Sequence, residues 1–156
     1  MTPEKLFFRY AFPCAQVLLD LKRIDQACYD ELKRMFYASE TPNREVLQSV
    51  FTNGFRRLKS VAAKMNKEPW DVEVIRKYFG EEHNVFIDAG EGEYAKFGED
   101  FKCLCKVYYA EIVDKKGNVL TVKYDNTVRK VLGDVVPNAK KGDKVTVHLG
   151  FAIEVL

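Results

Sequence analysis

Two cysteines and one histidine in the C-terminal third of the chain are the side chains best suited to bind a transition metal. Cys103 and Cys105 stand two residues apart, and His148 lies further along the same region. A thiolate and a neutral imidazole are good ligands for Fe(II) or Zn(II). Cys103, Cys105 and His148 would supply three ligands and leave a fourth position open or for a partner to fill. The competing interpretation is a surface histidine and a cysteine that acts as a small buried hydrophobe.

The cysteine pair is predicted to lie at the start of a β-strand. Residues two apart on a strand point to the same face, so both thiols would lie on one side of the sheet. Their Cα atoms would be roughly 6.5–7 Å apart, which is at the limit of disulfide reach. We therefore expect Cys103 and Cys105 to be free thiols or ligands. Cys14 and Cys28 fall on helical patterns and are predicted to fill the core.

The closing run of the chain reads as strand on both sides of a glycine. Apolar residues occupy alternate positions from Val145 onward, which predicts a half-buried strand with His148 on its polar face. Gly150 interrupts the pattern, and a glycine inside a strand usually marks a bulge or a close backbone approach. The predicted barrel core of this run is Val145, Val147, Leu149, Phe151, Ile153 and Val155.

The first half of the chain has helical periodicity instead. Residues 1–82 contain four apolar stripes at helical spacing, and we expect a small helical bundle. Predicted helix starts are Thr2-Pro3, Asp25, Thr41-Pro42 and Pro69, with Pro13 kinking the first helix and Gly80 ending the fourth.

Residues 83–101 separate this bundle from the β-rich part. They are rich in glycine and acidic residues, which predicts a flexible connection, with a possible short strand over 84–88. Five or six short strand runs follow, and close turns between them favour an OB-like five-stranded barrel over residues 102–156. The predicted fold class is α+β, with a helical domain at 1–82, a linker at 83–101 and a barrel domain at 102–156.

The run Val-His-Leu-Gly-Phe-Ala-Ile that contains His148 resembles the C-terminal signature of the HypC/HupF hydrogenase-maturation chaperones. A second anchor is Lys-Cys-Leu-Cys-Lys-Val at residues 102–107, which is similar to the Met-Cys-Leu opening of that family. The resemblance covers residues 102–156 and implies a small barrel. It also implies that Cys103 holds an iron-containing group with His148 close by, and that Cys103, Gly150 and Phe151 contact partners.

The function that the resemblance implies is that of a non-enzymatic metallochaperone. HypC-type proteins carry an iron–cyanide–carbonyl unit between a HypD-type scaffold and the large subunit of a nickel–iron hydrogenase. The implied cargo here is transient iron, and the implied partners are a HypD-like scaffold protein and a hydrogenase large subunit. The helical residues 1–82 are not part of that family pattern.

Composition narrows the range of possible partners. Lys and Arg number 25 against 23 Asp and Glu, a formal charge of +2, which is too small to indicate a nucleic-acid or membrane partner. The expected location is the cytoplasm. An alternative function is a nucleic-acid-binding OB module with a helical appendage, in which Tyr108, Tyr109 and Tyr124 stack bases. A third possibility is a small metal-dependent or thiol enzyme.

Overall fold

The computed structural model describes all residues, 1–156, and places helices before strands. None of its helices combines the length and apolar character needed to cross a bilayer. The α-helices are α1 Pro3–Ala11, α2 Ala15–Asp20, α3 Gln26–Tyr37, α4 Arg44–Val50, α5 Thr52–Met65, α6 Val72–Lys77, α7 His83–Asp88 and α8 Glu99–Cys105. Single turns of other helix types lie at Phe12–Cys14 and Gly92–Lys96 (3₁₀) and at Tyr78–Glu82 (π).

Helix starts follow the capping chemistry of the sequence. The Thr2 hydroxyl accepts from the Lys5 amide, and the Asp25 carboxylate accepts from the Cys28 amide. The predicted third helix is two helices, because the backbone leaves helical geometry at Phe51. Gly80 does not end a helix. It lies inside the π-helical turn, where a Cβ would collide with the Tyr109 hydroxyl.

Five strands close into a barrel after these helices, which confirms the predicted α+β class with an OB-like barrel. The strands are β1 Val107–Lys116, β2 Val119–Tyr124, β3 Thr127–Leu132, β4 Lys144–His148 and β5 Phe151–Val155. Their order around the barrel is β1-β2-β3-β5-β4, with β3 and β5 parallel and the other neighbours antiparallel.

The segment predicted as a linker is helical and anchored to its neighbours. Residues 84–88 belong to α7, so the predicted short strand there is wrong. The Asn84 side chain accepts from the Val107 amide and donates to the Val107 carbonyl, each at 2.8 Å, which ties α7 to the start of β1. Ile87 and Tyr94 are buried. Cys103 and Cys105 consequently lie on α8 and not on a strand.

Strands β4 and β5 are buried on both faces, because the barrel lies on one side and the helices on the other. Val147 and Ala152 pack inside the barrel, as predicted for Val147. Ile153 packs in the helical core, together with Val107 from β1, and not in the barrel core as the alternating pattern predicts. The predicted polar face of β4 is therefore an interface and not a solvent face, and His148 is fully buried in it.

We expect Ile153→Ala to destabilise the whole molecule, since this side chain is fully buried where the helices meet the barrel. The free energy of unfolding should fall by about 2–5 kcal/mol through lost burial and a residual cavity. Val128→Ala is the matched control, because Val128 is 59% exposed on β3 and its truncation should change stability by less than about 0.5 kcal/mol. Equal effects of the two substitutions in urea denaturation would contradict this interface.

Candidate metal centre

The structure brings together one cysteine and both histidines of the chain. The ligand atoms of Cys14, His83 and His148 all lie within 4.8 Å of one another. Cys14 ends the 3₁₀ turn after α1, His83 begins α7 directly after the π-helical turn, and His148 ends β4. Because helix α1 docks on β4, residues that are 134 positions apart come into contact.

The backbone fixes the tautomer of His148. Its Nδ1 lies 2.7 Å from the Tyr10 carbonyl oxygen, and since a carbonyl can only accept, Nδ1 carries the proton. The lone pair of Nε2 then faces the Cys14 Sγ atom at 3.4 Å. Burial lowers the pKa of His148 to about 4, so the imidazole is neutral at pH 7. A neutral imidazole whose other nitrogen donates to a carbonyl is the usual form of a metal-binding histidine.

His83 is oriented in a similar way. Its Nδ1 lies 3.4 Å from the Asn84 side-chain oxygen, which is fixed as an acceptor by its bond from the Val107 amide. Nε2 therefore holds the lone pair, and it accepts from the Tyr94 hydroxyl at 3.4 Å. Burial, with the nearby His148, lowers the pKa of His83 well below its usual value. Both imidazoles are thus neutral, and each has one unprotonated nitrogen that can bind a cation.

Cys14 completes the set as a protonated thiol. Burial raises its pKa, with smaller contributions from Cys105 and Glu93, so the thiol donates to His148 Nε2 in the metal-free protein. The residue is partly exposed and lines a cavity of about 50 Å³, which His83 also lines. The cavity gives a small ion or ligand a space beside the sulfur.

A buried ion-pair network forms one wall of this cavity. The Arg57 side chain is 1% exposed and donates to the carboxylates of Glu91 and Glu93, the latter at 3.0 and 3.2 Å. Glu93 also accepts from Asn53 at 2.9 Å and lines the cavity. Arg57 lies over the Tyr94 ring, with 4.6 Å from the guanidinium carbon to the ring centroid. The network holds the 3₁₀ turn Gly92–Lys96 against the metal-ligand cluster.

The predicted trio of Cys103, Cys105 and His148 does not form. Cys103 is exposed on α8, whereas His148 is fully buried between helices and barrel. Cys105 is buried nearer to the cluster and packs with Ile87 and Tyr94, but its sulfur is not within the group of ligand atoms. Helix α8 is the physical reason, because it turns the two thiols to different environments instead of one strand face.

The residues predicted to contact partners are also placed differently. Gly150 is exposed and belongs to the tight turn between β4 and β5, so it marks neither a bulge nor a close approach. The strained residue in that turn is Leu149, with φ of 51°, and Arg129 donates to its carbonyl at 2.6 Å. Phe151 is half-buried, and its ring lies 5.3 Å from that of Phe36 on α3.

Sequence reasoning missed two of the three clustered residues. The sequence predicts that Cys14 fills the core. Its sulfur instead faces His148. The sequence pattern around His83 predicts no ligand, because the residue falls in the segment expected to be a linker. A signal was available, because a chain with only two histidines invites the question of whether both serve one site.

The cluster fits metal binding better than nucleophilic catalysis. A Cys–His nucleophile works as a thiolate–imidazolium pair, and such cysteines have lowered pKa values. Here the pKa of Cys14 is raised and that of His148 is lowered, so the neutral thiol–imidazole pair is favoured. A bound metal cation would change only the thiol of this pair. It deprotonates a coordinating thiol, whereas it binds imidazole in the neutral form that is already present.

Two of the three tyrosines that could stack bases, Tyr108 and Tyr124, are engaged with each other, whereas Tyr109 is 56% exposed. The rings of Tyr108 and Tyr124 are stacked at 4.1 Å with an interplanar angle of 16°, which leaves no space for a base between them. The Tyr124 hydroxyl accepts from Arg129 at 2.9 Å.

The fold and the cluster together define a class of protein: an OB-like barrel capped by helices, with one half-buried thiol and two buried imidazoles at their junction. No family model matches this chain, and no curated protein matches it.

Proposed function

We propose that the protein binds one transition-metal ion through Cys14, His83 and His148 and acts as a non-enzymatic metal-handling accessory protein. The observation that carries the proposal is the approach of these three ligand atoms to within 4.8 Å of one another. One sulfur and two nitrogen donors suit Fe(II), Zn(II) and other borderline dications. The two fixed tautomers support it, because both imidazoles have an unprotonated Nε2.

The resemblance of residues 102–156 to HypC-type chaperones supports iron as the cargo. In this proposal His148 keeps the role that the resemblance implies, while Cys14 supplies the thiolate in place of Cys103. The implied partners are unchanged: a HypD-like scaffold that delivers the iron unit and a hydrogenase large subunit that receives it. Helix α1 and the turn that follows it contribute Cys14, so the helical part of the chain has a direct role in holding the cargo.

We expect Cys14→Ser to abolish tight binding of Co(II), used as a spectroscopic substitute for Fe(II). Wild type should bind one equivalent under anaerobic conditions and show thiolate-to-cobalt charge-transfer absorption. The affinity of Cys14→Ser should fall by more than about 100-fold, since loss of an outer-sphere partner alone costs 10–100-fold.

Cys103→Ser is the matched control for this titration, because Cys103 is an exposed thiol outside the cluster. Its binding should equal that of wild type. Loss of binding in Cys103→Ser, with Cys14→Ser unaffected, would refute the proposed ligand set. Salt-sensitive retention of the metal-free protein on a polynucleotide resin would favour the nucleic-acid alternative instead.

A further inference from the structure

The metal centre, if it exists as proposed above, lacks a fourth donor. Zn(II) and similar ions in buried protein sites take four ligands. One thiolate and two neutral imidazoles would leave a dication with a net charge of +1 in a largely buried site, where the carboxylates of Glu91 and Glu93 are already paired with Arg57. An uncompensated buried charge is costly, so an anionic fourth ligand is favoured over water.

We propose that the phenolic oxygen of Tyr94 is that fourth ligand. Tyr94 lies on the 3₁₀ turn Gly92–Lys96 and is 6% exposed. Its hydroxyl lies 3.4 Å from His83 Nε2, at the edge of the ligand cluster. Bound as a phenolate, Tyr94 would complete a set of one oxygen, one sulfur and two nitrogens. The negative charges of the phenolate and the thiolate would cancel the two positive charges of a dication.

The hydrogen bonds of Tyr94 argue for this role. The His83 Nε2 lone pair is the sole hydrogen-bond partner of the Tyr94 hydroxyl. Because His83 Nδ1 faces the acceptor oxygen of Asn84, Nε2 is the atom that must bind a metal. Once a metal takes that lone pair, a buried phenol would lose its partner, which is costly. Coordination by the phenolic oxygen restores a partner to the same atom.

The other nearby anions are less suitable. Both carboxylate oxygens of Glu93 accept from Arg57, and one also accepts from Asn53. Cys105 packs against Tyr94, but its sulfur lies outside the ligand cluster. Tyr94 can therefore supply an anionic donor to the cluster without the loss of an ion pair.

The binding step conserves charge and involves no electron transfer. The dication forms bonds to Cys14 sulfur, Tyr94 oxygen and one nitrogen each of His83 and His148. The thiol and the phenol each release one proton to solvent, so two protons leave for each metal bound. If Tyr94 served only as a hydrogen-bond donor, one proton would be released for each metal bound.

Zinc titration of the whole protein tests the proposal. Zn(II) should produce the near-ultraviolet difference absorption of ionised tyrosine in wild type, with release of two protons per zinc. Tyr94→Phe should still bind Zn(II), at least about tenfold more weakly, with one proton released and no tyrosinate signal.

Tyr78→Phe is the control, because Tyr78 lines the same cavity and is 1% exposed, but its hydroxyl points toward Gly54. It should retain the tyrosinate signal and the count of two protons. Zinc binding that depends on Cys14 but gives no tyrosinate signal would overturn the role of Tyr94 and leave the proposed function standing. The role of Tyr94 would likewise be overturned if Cys105→Ser, and not Tyr94→Phe, lowered the number of protons released per zinc. An absence of zinc binding in wild type would overturn both proposals.

Discussion

Replacing Arg57 with methionine is expected to lower the free energy of unfolding by about 3–5 kcal/mol, the usual cost of removing one partner from a buried ion pair. The Arg57 side chain is 1% exposed, and the Glu93 side chain that it neutralises is 10% exposed. Methionine preserves most of the side-chain length but leaves the Glu93 carboxylate with Asn53 and a distant Arg23 at 4.0 Å. Urea denaturation measures the difference.

Arg56→Met is the matched control for that experiment. Arg56 precedes Arg57 and pairs with the same Glu91, but its side chain is 53% exposed. Exposed ion pairs contribute about 0–1 kcal/mol, so its replacement should have a small effect. Adding Glu93→Gln to Arg57→Met should recover part of the lost stability, because the unpaired charge is then removed. Equal effects of Arg56→Met and Arg57→Met would show that the network does not stabilise this region.

The metal-free protein should also lose stability between pH 6.5 and pH 5. The pKa values of His83 and His148 are lowered in the folded state by burial, and that of His148 falls to about 4. The unfolded chain therefore binds more protons than the folded one below pH 6.5, and stability falls with falling pH. Each histidine should contribute up to about 1.4 kcal/mol per pH unit. These are the only two histidines, so no other histidine contributes to this range.

The variant His148→Gln separates this effect from general acid sensitivity. Its free energy of unfolding should decline less steeply than that of wild type over the same range, by about half if both histidines contribute equally. The measurement is a series of urea denaturation curves in the presence of a chelator. Identical slopes for wild type and His148→Gln would show that His148 is not held neutral by the fold.

The fold class and several helix starts could be predicted from the sequence, because periodicity and capping are local properties. The change from helical to alternating apolar spacing gave the α+β class, and Thr2 and Asp25 begin helices as their side chains predict. Residues 84–88 were misassigned, since Val85, Phe86 and Ile87 favour strands in isolation. Packing of Ile87 and the clamp from Asn84 to Val107 override that preference.

Only one of the three candidate ligands could be predicted from the sequence. His148 could be singled out, because a titratable residue in an apolar strand run is unusual. Cys14 could not, since a cysteine that fills a helical core and one that faces a metal site have the same sequence signature. What distinguishes them is the docking of α1 on β4, a contact across 134 positions that no local pattern encodes.

X-ray absorption spectroscopy of the zinc-loaded wild-type protein would identify the donor atoms of the proposed metal centre. We expect a four-coordinate ion with one sulfur at about 2.3 Å and the remaining nitrogen and oxygen donors at about 2.0–2.1 Å, with the imidazole scattering of two histidines. A first shell with no sulfur, or with the two sulfurs that Cys103 and Cys105 would supply, would contradict a centre built from Cys14, His83 and His148.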